Sequence, residues 1–163
     1  MKRQASILSP LIILFSILAC TSIDCPLVTT VRTYYVLQTP AQTTDTLRDT
    51  LSIRTFRANG SDTLLLNKGI GLTSLSLPVG YTTPEDTLYF IFKNGSFRAV
   101  DTVLIKKENI PHFESVDCQA AYFHELEAVS TTHHALDSIT INYRHVNYDV
   151  SNTHYHIYFK AQR

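Results

Sequence analysis

The feature that most limits what this chain can fold into is the period of its apolar residues. From Val28 onward they recur at every second position in short runs, and no helical 3.6-residue period lasts three turns. An all-β domain is the expectation. The runs are Val28 to Gln38, Thr50 to Arg57, Thr63 to Leu66, Leu72 to Leu77, Thr87 to Lys93, Phe97 to Lys107, Ala120 to Ser130, Ser138 to His145 and His154 to Ala161. Asn59-Gly60 and Asn94-Gly95 are the strongest hairpin signals, read as type I′ turns because both residues accept positive φ. About nine short strands predict an immunoglobulin-like or related antiparallel β-sandwich. The run from Ala120 to Ser130, rich in Ala, Glu and Leu, would also suit a helix.

Alternation within the runs separates central from wet strands. Leu88, Phe90 and Phe92 share one face and Tyr89 and Ile91 the other, which is the pattern of an interior strand or of one lying under a partner or a lipid. Ile139, Ile141 and Tyr143 alternate with Thr140, Asn142 and Arg144, while Tyr155, Ile157 and Phe159 alternate with His154, His156 and Tyr158. A hairpin with Thr140, Asn142, Arg144, His154, His156 and Tyr158 on one exposed polar face is therefore expected, and it is a candidate binding face.

The N-terminus reads as an export signal. Lys2 and Arg3 precede an apolar run from Ile7 to Ala19, too short to span a bilayer comfortably. The run ends in Ile17-Leu18-Ala19-Cys20, which resembles the lipobox of bacterial lipoproteins. Residues 1–19 would then be a signal peptide, Cys20 the acylated first residue, 20–26 a lipidated tether and 27–163 one β-sandwich domain. The expected location is the cell envelope, as an outer-membrane lipoprotein facing the periplasm or the surface, with its membrane contact made through the lipid. Cys25 and Cys118 remain, and in an oxidising compartment they are expected to pair. Lys+Arg and Asp+Glu stand at 14 each, so removing Lys2 and Arg3 leaves a net charge of about −2 and no reason to expect nucleic acid as a partner.

Asp followed by Ser or Thr and an aliphatic residue occurs six times, at Asp45, Asp49, Asp62, Asp86, Asp101 and Asp137. Composition alone predicts about one such triplet. A structural cause is available, since Asp suits the turn before a strand and Thr the strand itself. The pattern also looks like the acceptor motif of protein O-glycosylation in Bacteroidota, which would make Thr46, Thr50, Thr63, Thr87, Thr102 and Ser138 possible glycan sites.

Asp24-Cys25-Pro26, the Asp-Thr-Leu strand starts, Pro111 to Cys118 and the terminal His156-Ile157-Tyr158-Phe159-Lys160 together resemble a family of small Bacteroidota lipoproteins known only as a domain of unknown function. The resemblance implies a lipobox and an all-β domain, and no activity, ligand or catalytic residue.

Histidine is the unusual polar usage. His154 and His156 are weak metal candidates, two apart on a strand, with His145 or Asp149 as a third ligand; two solvated histidines is the plainer reading, and no metal or other cofactor is expected. His124 shares a face with Leu126 and is expected to be buried and hydrogen-bonded. Tyr34-Tyr35, Tyr81 and Tyr148 are aromatic candidates for ligand contact. There is no G-x-S-x-G elbow and no phosphate-binding loop. The expectation is a noncatalytic envelope module binding a protein or glycan, with a metal-dependent or carboxylate-based hydrolase as the alternative.

Overall fold

A computed structural model describes residue 25, residues 29–56 and residues 59–160. The proposed signal peptide, Cys20 and most of the tether lie outside the described residues. The described chain is all-β, and among those residues there is no helix. Its strands are β1 (Arg32–Gln38), β2 (Thr50–Phe56), β3 (Asp62–Gly69), β4 (Ser74–Pro78), β5 (Glu85–Asn94), β6 (Phe97–His112), β7 (Ala121–Thr131), β8 (Leu136–Ile141), β9 (His145–Val146) and β10 (Tyr155–Phe159). They form a four-stranded sheet, β4-β1-β10-β8, and a six-stranded sheet, β3-β2-β5-β6-β7-β9. Every pairing between named strands is antiparallel except β1 with β10, which joins the first strand to the last.

The core lies between the sheets because alternation gives each strand one apolar face. Leu51 and Ile53 of β2, Leu88, Phe90 and Phe92 of β5, and Val103 and Ile105 of β6 meet Leu37, Leu77, Ile139 and Ile157 of the smaller sheet. Tyr35 and Tyr155, paired in register on β1 and β10, stack with ring centroids 4.7 Å apart. Phe92 meets Phe159 edge-on at 5.9 Å, tying the sheets together. β5 is interior, as its doubly apolar pattern predicts, with β2 and β6 on either side.

One local expectation with two readings is decided by the fold, and two others differ from it. The run from Ala120 forms strand rather than helix, because β6 offers it a ladder from Val103↔Thr131 to His112↔Ala121. The β5–β6 hairpin turns on Gly95-Ser96: Gly95 has φ 56° and Ser96 does not have positive φ, the pattern of a type II′ turn. Asn94 stays in the ladder opposite Phe97 and donates its side-chain amide to Asp49 at 3.0 Å. The segment from Ser138 to His145 divides at residues 142–144, where the chain leaves the smaller sheet and enters the larger one as β9.

Cys25 and Cys118 form a disulfide, with Cα atoms 5.5 Å apart, which ties the start of the described chain to the β6–β7 loop.

Candidate functional site

The site begins with two charges on inward-facing strand positions. Asp86 has the parity of Leu88, Phe90 and Phe92, and Lys107 that of Val103 and Ile105, so both point between the sheets. Lys107 is 1% exposed. Its ammonium lies 3.0 Å from the Asp86 carboxylate and donates to the Thr83 carbonyl, also at 3.0 Å. A buried charge demands such partners.

The partners draw in the β4–β5 turn. Asp86 accepts from the Gly80 N–H at 3.4 Å, and a Cβ added to Gly80 would stand 2.8 Å from that carboxylate and push it aside, so glycine suits the approach. Asn109 donates to the carbonyls of Tyr81 and Thr83 at 3.1 and 3.0 Å. Asn109 in turn shares a 2.8 Å hydrogen bond with buried His124. Burial, with the Lys107 charge adding to it, pushes the His124 imidazole down to about 4, so it stays neutral at ordinary pH. Burial raises Asp86 above its usual range, against the pull of Lys107.

This network fixes the backbone of the turn and leaves Tyr81 at its apex. Tyr81 is 54% exposed and stacks on Tyr122 with centroids 4.8 Å apart and planes within 5°. The turn walls a cleft of about 790 Å³, whose other side is built by Phe56, Thr63 and Leu65 of β2 and β3 and by Tyr89 of β5. Phe56 stands edge-on to Tyr89 at 5.5 Å. Aromatic rims, threonine hydroxyls and a floor carboxylate give the cleft both stacking surfaces and hydrogen-bonding groups.

The C-terminal hairpin is arranged differently from the expected polar face. His154 precedes β10 and is fully buried. Its Nδ1 accepts from the Tyr34 N–H at 3.1 Å and its Nε2 faces the His145 carbonyl at 3.2 Å, an arrangement that uses both ring nitrogens and clamps β1 to β9. Burial lowers its pKa. Asn142 and Arg144 lie past the end of β8, so alternation no longer governs them. Asn142 caps the Thr153 carbonyl at 2.8 Å, and Arg144 reaches back to the carbonyls of Leu126 and Glu127. Tyr143, expected inside, is 39% exposed for the same reason. Thr140, His156 and Tyr158 do share the outer face, with His156 paired to Thr140 and Tyr158 donating to Gln38 at 3.0 Å.

With both its nitrogens engaged, His154 cannot join His156 at a metal, and among the described residues no group of three or more His, Cys, Asp or Glu side chains is placed to hold one. Asp149 instead organises its own loop through Ser151 and Asn152. Of the aromatic candidates, Tyr35 is core, Tyr34 stacks on His154, Tyr148 packs edge-on against Phe123 at 5.1 Å, and Tyr81 stands at the cleft.

The repeated Asp triplets acquire structural work. Fully buried Asp101 accepts from the backbone N–H groups of His134, Ala135 and Leu136 and from the Thr132 hydroxyl, organising the β7–β8 connection. Asp62 pairs with Arg54, and Asp86 with Lys107. Among the triplet hydroxyls Thr46 is exposed, while Thr50, Thr63, Thr87, Thr102 and Ser138 are half-buried. The Lys107–Asp86 network escapes motif searches, yet a lysine and an aspartate each on the inward parity of an apolar strand was a signal for it.

The fold and cleft define a two-sheet β-protein with a preformed surface turn. Residues 53–159 match DUF6452, a family of unknown function, and the chain belongs to it. No curated protein matches the chain. No solved structure matches it either.

Proposed function

We propose that this chain is a noncatalytic, lipid-anchored protein of the bacterial envelope, a Bacteroidota lipoprotein held at the outer membrane through Cys20, and that it binds an envelope protein or glycan at the Tyr81 cleft. The observation that carries the binding site is the turn from Gly80 to Thr83: buried Lys107 and half-buried Asn109 and Asp86 hold its backbone while Tyr81 stays exposed. A buried charge and a half-buried amide committed to shaping one surface turn give a preorganised contact, which lowers the ordering cost of binding. The Asp86 carboxylate is paired with Lys107 and accepts from the Gly80 N–H, so it serves to hold the turn. The lipobox-like Ile17-Leu18-Ala19-Cys20 supports the anchor.

The test passes envelope extract over the immobilised lipidated protein and over two folded variants, Tyr81→Ser and His156→Ala. A retained component that disappears with Tyr81→Ser and persists with His156→Ala is expected. Loss with His156→Ala alone moves the site to the outer face of the smaller sheet.

A further inference from the structure

We propose that the loop from Phe113 to Cys118 is a membrane-contact loop that rests in the headgroup layer of a zwitterionic bilayer; the inference depends on acylation of Cys20. The first support is covalent. Cys20 lies five residues before Cys25, and an extended chain advances at most about 3.6 Å per residue, or roughly 18 Å in all. The Cys25–Cys118 disulfide carries that restraint into the loop, because the two Cα atoms are 5.5 Å apart. An acyl group on Cys20 therefore holds this end of the sandwich at the membrane surface.

The second support is what the loop presents. Phe113 is 64% exposed and Val116 is 96% exposed. The Cys118 N–H bonds the Ser115 carbonyl at 3.2 Å, so Val116 and Asp117 are the central residues of a tight turn. Such positions ordinarily take Gly, Asn, Asp or Ser, and a valine projecting there gains nothing from water. Beside it, His112 stacks on Phe123 at 4.1 Å and Tyr148, 38% exposed, meets the same ring edge-on. Apolar side chains flanked by a tyrosine suit the boundary between headgroups and acyl chains.

The third support fixes the kind of surface. Glu114 and Asp117 are exposed on the same loop and would be repelled by anionic lipid. They are accommodated among zwitterionic headgroups, with only Phe113 and Val116 reaching deeper.

The chain contains no tryptophan, so Phe113→Trp supplies a single tryptophan, excited at wavelengths where its nine tyrosines do not absorb. The acylated variant is reconstituted into phosphatidylcholine–phosphatidylethanolamine vesicles, some carrying acyl chains brominated near the headgroup. The expected result is a blue-shifted emission that the brominated lipid quenches, and a return toward the water-exposed spectrum when Val116→Asp is added. Phe97→Trp, at the far end of the 16-residue β6, should stay unshifted and unquenched. Protein that floats with the vesicles while the position-113 probe remains unshifted and unquenched overturns the contact loop and leaves the anchor standing. Acylated protein that fails to float overturns both.

Discussion

Asp101→Ala should be among the most damaging single substitutions in the larger sheet. The carboxylate is fully buried and accepts from Ala135 and Leu136 N–H at 2.7 and 2.9 Å, from the Thr132 hydroxyl at 3.0 Å and from the His134 N–H. Burial by itself would raise its pKa, but the three backbone donors and the hydroxyl outweigh it and keep the carboxyl below the usual range. Alanine leaves these donors without their acceptor where Ala135 and Leu136 are themselves fully buried. Each stranded donor costs about 1–3 kcal/mol, and partial relaxation of the loop brings the expected total to roughly 3–5 kcal/mol. That is a large share of the ~5–15 kcal/mol available to a domain. Urea unfolding followed by circular dichroism measures it. The pH dependence adds a check: a depressed folded-state pKa gives stability that is present above the unfolded value, near 3.8, and lost as pH falls through the folded one. The acid limb of the stability curve should therefore flatten in Asp101→Asn. A cost below about 1 kcal/mol for Asp101→Ala would refute the reasoning, since it would mean that the loop finds other acceptors freely.

Lys107→Met strands the Asp86 carboxylate and should destabilise by about 3 kcal/mol, whereas the double variant with Asp86→Asn should recover part of that loss; paired denaturant titrations measure the coupling. Because His124 is neutral in the fold and titrates near 6.5 when unfolded, stability should be full above that pH and decline toward about 4, by up to roughly 3 kcal/mol, a slope that His124→Gln should reduce. Reducing the Cys25–Cys118 bridge opens a 93-residue loop and should lower stability by about 4–5 kcal/mol, read as a fall in the melting temperature with and without reductant.

The sequence alone determined the fold class, because a period of two with turn residues between the runs leaves each segment one apolar face that only a second sheet can cover. It also marked β5 as interior through Leu88 to Phe92, and His124 as a buried, hydrogen-bonded histidine. What alternation cannot state is where a strand stops. β8 ends at Ile141, so the parity that placed Asn142, Arg144 and His154 on one outer face no longer applied beyond it, and His154 went inside to bridge the sheets. Partner identity is equally invisible to a one-strand pattern. Asp86 and Lys107 are 21 positions apart on neighbouring strands, and only the β5–β6 register brings their charges together. The cleft needed tertiary structure for the same physical reason: its walls come from β2, β3, the β4–β5 turn and β5, and the hydrogen bonds that shape that turn are donated from β6.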